Sequence, residues 1–429
     1  MFHRASQYLL SLSLLLTGTA CRNLAADPEA SRKRIDAQVE QAVTHVGSGE
    51  LALARTELAG VLEQAPHHPG ALKVQTCVLL ELGALDEAAR TVTRLQSLTP
   101  DEPEVAVLAA LVEQRRQTPT PDWREALVQA WKRVGRPDLK DAERFPQPLP
   151  DRESFVDTVW KRTQSVEARF TAALADTASD AQQQWLADHL PGLDAPDLLL
   201  AAHEYFRPSP DAAALNDVRR KVRESLRRKL EPLNAGASTS EGPLLLLLGE
   251  SAKDAPLTRE DIQALERIAA LPRYRSLALA QGGANAKRRL VSAGITPRPA
   301  RLFQAAVVSM PLDATLVLKK RVEATKTRLS TEERIRLGQA VFTLGERIAA
   351  GSTLVDRMVG LSQMRQGAEL MDDPEKLAQV ARDLEQARAV FQATSSLQVD
   401  TWPLPSLQDA WLKAALDDEW KHLSTLVVP

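Results

Sequence analysis

A chain of 429 residues is longer than one hydrophobic core usually serves, so two or three domains are expected. Leucine, alanine, arginine and glutamate abound while aromatic residues make up only 4%, a balance that favours helix over strand and implies an all-α protein. The 54 Lys and Arg against 56 Asp and Glu exclude the basic field of a nucleic-acid binder, and two cysteines, Cys21 and Cys77, exclude a disulfide framework.

The N-terminus reads as a signal peptide over residues 1–20: Arg4 is the basic start, Leu9 to Leu16 the apolar stretch, and Gly18-Thr19-Ala20 the small-residue cleavage region. The apolar stretch is too short to span a bilayer. Cutting after Ala20 leaves Cys21 first. That arrangement resembles the lipobox of bacterial lipoproteins, with Thr19 and Ala20 as the family accepts and Gly18 where a branched aliphatic residue is usual. The resemblance implies that Cys21 carries a lipid anchor holding the protein to a membrane on its periplasmic or outer side, each buried methylene contributing about 0.8 kcal/mol. Ordinary secretion as a soluble protein is the alternative, because Gly18 and Ala20 also satisfy plain signal peptidase. Residues 21–34 read as a polar tether.

Residues 35–68 and 69–102 superpose with a period of 34, which aligns Gly49 with Gly83, Leu51 with Leu85, Ala54 with Ala88, Leu58 with Val92, Val61 with Leu95, and Pro66 with Pro100. The pattern resembles the tetratricopeptide repeat, a helix–turn–helix unit, and a closing helix from Pro103 extends it over residues 35–116. In this frame Cys77 packs within a helix, His67-His68 lies in the inter-repeat turn, and Ala42, His45, Leu72 and Leu79 line a groove for a partner or belong to the core.

Residues 117–235 read as further helices, with Trp123, Leu127 and Trp131 on one stripe and a boundary at the proline-rich "ERFPQPLPDRE", 143–153. "NAGASTSEGP" reads as a linker or long turn before a C-terminal helical domain, 243–429. There Thr258 with Asp261, Ser330 with Glu333 and Thr353 with Asp356 mark helix starts, Leu257 with Ile262 a hydrophobic staple, and Gly351 a helix stop. If the last helix is continuous, Trp411 and Trp420 fall on opposite faces, which marks either a thin helix sandwiched between elements or a tryptophan, Trp420, left for a domain or partner interface.

No catalytic constellation emerges. "HEYFR" starts like a zinc-protease helix but has Arg207 where the second histidine must stand, and no histidine pair has metal-ligand spacing. Ser251 follows an apolar run, yet Lys253 replaces the glycine of a nucleophile turn. "QGGANAKRR" lacks phosphate-loop spacing and reads as a loop entering a basic helix. "RRKVRESLRRK" places Arg219, Arg220, Arg223, Arg227 and Arg228 around an apolar stripe, either as a solvated face or as one for anionic headgroups or an acidic partner. The expectation is a lipid-anchored envelope scaffold or assembly factor without enzymatic activity, metal, cofactor or nucleic-acid partner. The competing expectation is an exported enzyme or small-ligand binder whose C-terminal site draws on His203 and Glu204.

Overall fold

The computed structural model describes residues 28–118, 122–140, 142, 145–149, 153–207, 216–248, 255–310 and 312–427. Cys21, the signal segment and Ser251 lie outside them. Every regular element among the described residues is helical, and the one sheet-like contact is an isolated bridge between Thr239 and Arg273. The protein is all-α. It divides into two compact units: the first takes the chain through Thr118 with Glu143–Leu149 and Pro403–Pro405, and the second takes the rest.

Unit one holds α1 (Pro28–Gly47), α2 (Leu51–Gln64), α3 (Pro69–Glu81), α4 (Leu85–Leu98) and α5 (Pro103–Gln117). Its backbone repeats with the sequence. Gly49 and Gly83 both take positive φ, 79° and 71°, in the tight turns after α1 and α3, a conformation that penalises a β-carbon. Pro69 and Pro103 stand in the first turn of α3 and α5, where a missing N–H costs nothing. Ala54, Leu58 and Val61 on α2 and Ala88, Val92 and Leu95 on α4 are buried at equivalent positions. Residues 28–34 belong to α1, which corrects the tether: Glu29 and Lys33 pair one turn apart at 2.7 Å, and Arg34 reaches Gln64.

Unit two opens with α6 (Trp123–Arg133), α7 (Phe155–Arg162), α8 (Val166–Ala175), α9 (Asp180–His189), α10 (Pro196–Tyr205), α11 (Asn216–Asn234) and α12 (Glu241–Leu248). It continues through α13 (Arg259–Ala269), α14 (Leu279–Ser292), α15 (Pro299–Val308), α16 (Asp313–Thr325), α17 (Thr331–Ala349), α18 (Leu354–Met371), α19 (Pro374–Leu397) and α20 (Pro405–Ser424). One apolar core runs from Val156 to Leu370. Thr258 and Ser330 form complete capping boxes, Thr353 accepts from Asp356 N, and each such cap contributes about 1 kcal/mol. Leu257 and Ile262 are both in the core, as a staple requires.

One local reading, the loop at "QGGANAKRR", is overturned, and two hold in part, the turn at "NAGASTSEGP" and the helix stop at Gly351. "NAGASTSEGP" runs inside unit two, where Ser240 N and Glu241 N donate to the carbonyls of Arg273 and Tyr274. The glycines of "QGGANAKRR" lie within α14, and a β-carbon on Gly283 would meet Leu416 at 2.9 Å. Gly351 follows α17 without positive φ; its missing side chain instead leaves room for Asp356.

α17 and α18 pack backbone to backbone. A β-carbon on Gly338 would lie 2.8 Å from Gly367 O, and one on Gly345 would lie 2.7 Å from Gly360 O. Glycines seven residues apart on each helix therefore face each other in antiparallel register.

Candidate functional site

Two regions carry the chemistry that sequence reasoning sought. In unit one, Ala42 is enclosed by Val39, Leu58 and Val74, and Leu72 and Leu79 are each 1% exposed, so none of the three offers a contact surface. They are interior because apolar positions of a helical hairpin array face the neighbouring helices. His45 is half-buried, with Nδ1 2.6 Å from Glu50 and Nε2 3.4 Å from Glu57, and it closes the α1–α2 turn. His68, read as turn polarity, caps α3: its Nδ1 accepts from Ala71 N at 3.1 Å and its Nε2 faces Asp36 at 2.9 Å.

A different stripe marks the repeat unit. Gly70, Lys73, Cys77 and Leu80 recur along α3, and Glu104, Val107 and Leu111 stand 34 residues after the first three, on α5. All but Gly70 are buried, although none belongs to the core cluster around Ala42. Lys73 lies 2.8 Å from Glu102 and 3.6 Å from Glu104. Burial and the Glu104 charge push the Cys77 thiol up, which suits the packing role and makes it unreactive. The proline-rich segment reaches this stripe: Pro146 Cγ lies 3.0 Å from where a β-carbon on Gly70 would sit, and Leu149 N donates to Thr44 Oγ1 at 3.0 Å.

In unit two, the backbone pairing of 239–241 with 273–275 sets Glu241 opposite Arg275. The Arg275 guanidinium pairs with Glu241 through Nη1 and with Asp356 Oδ1 through Nε and Nη2, at 3.2 and 2.8 Å to the latter. Burial pushes the Glu241 carboxyl up to about 7; Arg275 pulls it down and Asp356 adds to the rise. Burial opposes the charge on Arg275, but Glu241 and Asp356 outweigh it and hold its pKa above the ordinary value. Arg275 and Asp356 form one wall of a cleft of about 710 Å³, with Arg273, Gln281, Glu346 and Arg347 among its polar lining. No family model, curated protein or solved structure matches the chain.

His203 and Glu204 are interior and do not line this cleft. Arg207, which replaces a second zinc ligand in the sequence pattern, pairs with Glu204 at 2.7 Å and with Asp313 at 3.0 Å. Burial works against the Glu204 charge, but His203, Arg207 and Arg223 together hold its carboxyl below the ordinary range. Among the described residues no group of three His, Cys, Asp or Glu is placed to hold a metal.

The basic run of α11 is not one continuous face. Arg223 is buried, 3.9 Å from Glu204, and Arg219 donates to Arg207 O and Gln183. On the exposed side Arg220 pairs with Asp217, Arg227 with Glu231 at 3.1 Å, and Arg228 with Glu224 at 2.5 Å. Acids one turn away pair with these three arginines.

Trp420 also changes role. Asp418, at φ −164° and ψ 96°, interrupts α20, and its Oδ1 accepts from Lys421 N to restart the helix. The opposite-face argument required an unbroken helix, so it does not hold. Trp420 packs half-buried against the apolar cluster that includes Phe342, Leu361 and Val380, with Arg357 5.2 Å from its ring, and Trp411 meets His422 edge to face at 4.4 Å.

Burial, with Arg124 nearby, pushes His422 down to about 4 from 6.5, Asp122 opposing. A neutral buried histidine contributes stability that is present above pH 6.5 and lost as the pH falls towards 4, because the unfolded chain takes up the proton first. Urea midpoints of the wild type and His422→Gln, compared across that window, should differ in slope with the wild type losing more on acidification. Equal slopes would remove His422 from the account.

The Glu241–Arg275–Asp356 cluster was missed in the sequence. Its members are separated by 34 and 81 positions, and no local spacing joins them. The available signal was weak: "RYRS" puts two arginines in a short connection between apolar helices, and Asp356 already had a role as part of a helix start.

Proposed function

We propose that the protein is a lipid-anchored scaffold or assembly factor of the bacterial cell envelope, tethered through Cys21 and holding a partner protein with tetratricopeptide-like repeats. The observation that carries the reading is the 34-residue recurrence of helix starts from α2 to α5, and of turn glycines and buried positions along the same unit. Such arrays expose long helical faces suited to protein partners. The N-terminal lipobox pattern supports attachment to a membrane, with a soluble periplasmic or secreted form as its alternative.

The test is affinity capture of the detergent-solubilised full chain beside a chain lacking residues 35–116. Partners should be retained by the first and lost by the second, and identical partner sets would overturn the reading. Palmitate labelling tests the anchor: label is expected on the wild type and absent from Cys21→Ala, and an unlabelled wild type would reduce the N-terminus to a secretion signal. A second reading, an exported enzyme or small-ligand binder, rests on the cleft walled by Arg275 and Asp356.

A further inference from the structure

The segment Phe145–Leu149 crosses from α3 to α1 without forming a helix or strand. Pro146 and Pro148 stiffen it in extended form and remove N–H donors, so Gln147 and Leu149 hold the donors after Pro146. The Leu149 donor is satisfied by Thr44 Oγ1, which itself donates to Glu40 O at 2.9 Å. Phe145 is 1% exposed, whereas Gln147 and Leu149 face solvent. Pro146 sits at Gly70, the first residue of the Gly70/Lys73/Cys77/Leu80 stripe. Where Gly70 stands, the next repeat has Glu104, a side chain with no room beside that proline. A second returning piece, Pro403–Pro405, also belongs to unit one and carries Leu404, which is wholly buried.

We propose that residues 145–149 are a tethered ligand occupying the binding surface of the repeat unit, and that the external partner is an extended peptide with the same aromatic–proline chemistry, a Phe-Pro pair followed by a backbone N–H for Thr44. The partner binds by displacing the tethered copy. This rests on the interaction reading of the repeats and adds the partner's chemistry and a form of self-restraint. A covalently linked segment competes at an effective concentration in the millimolar range, so a free peptide meets a surface already filled.

The probe is a fluorescein-labelled nonapeptide with the sequence of residues 143–151, titrated by anisotropy against the full chain. Phe145→Ser/Pro146→Ser vacates the surface without touching a residue of α1–α5. This variant should bind the peptide at least about 100-fold more tightly than the wild type, and a peptide with the same two serines should bind neither protein. Equal affinity for both proteins, or no binding to a variant whose circular dichroism matches the wild type, would overturn the proposal. Should the variant fail to fold, amide exchange on the wild type decides. Saturating peptide should speed exchange at Leu149 N about 10-fold or more by releasing it from Thr44, and an unchanged rate overturns the proposal. Partner capture reports on the repeats as a module and peptide titration on the tethered segment, so the two can fail separately.

Discussion

Arg275→Ala should lower the stability of unit two by about 3–5 kcal/mol, because it leaves the Asp356 carboxylate buried without its cation and Glu241, protonated in that setting, without its partner. Glu241 and Asp356 are 6% and 1% exposed, so the folded chain gives them little water of their own in place of the guanidinium. The double variant Arg275→Ala/Asp356→Asn should recover part of that loss, since the stranded charge is gone. Urea denaturation of the three proteins checks the pair of statements. A single variant within about 1 kcal/mol of wild type would mean that the cluster contributes little, as some buried ion pairs do.

The same site predicts a pH dependence of definite sign. The Glu241 carboxyl titrates at about 7 in the folded chain against an ordinary 4.5, so between those values the folded state holds a proton that the unfolded state has lost. Its contribution is full below pH 4.5 and disappears as the pH rises through 7. His422 acts in the opposite direction over much of this range, so the wild-type curve alone separates neither. Glu241→Gln should remove the downward component on its own; an identical profile in the variant would show that Glu241 ionises as in water.

Gly360→Ala should cost about 3 kcal/mol, against the usual gain of about 1 kcal/mol for that exchange in a helix. The added methyl would fall inside contact distance of Ala349 N and 2.6 Å from Gly345 O. Both are backbone, and a helix backbone cannot rotate aside as a side chain can. Gly60→Ala is the matched control: a β-carbon there meets nothing within 4 Å, so it should stabilise unit one slightly. Denaturant midpoints moving the same way for both substitutions would show that α17 and α18 separate readily.

Local chemistry was legible in the sequence and long-range chemistry was not. Thr258, Ser330 and Thr353 were recognisable as helix starts because a cap and its partner lie three residues apart. The repeat period was legible because Gly49 and Gly83 meet the same backbone demand. The candidate groove was misplaced because Ala42, Leu72 and Leu79 share the apolar pattern of the core, and period alone does not say which stripe a neighbouring helix covers. Glycines at 338, 345, 360 and 367 carry a seven-residue spacing that could have been noticed, since it pairs two helices without side chains between them. Arg275 had no such trace, because its partners depend on how three distant segments dock.

The returning pieces of unit one bear on the order of events during synthesis. Helices α1 to α5 leave the ribosome first, but Phe145 follows later and Leu404 only when most of the chain has been made. Until residues 146–149 are made, Gly70 and Thr44 face water, so the nascent repeats pass through a stage in which that surface is open to any chaperone or partner already present. A fragment ending at Thr118 would be arrested at that stage.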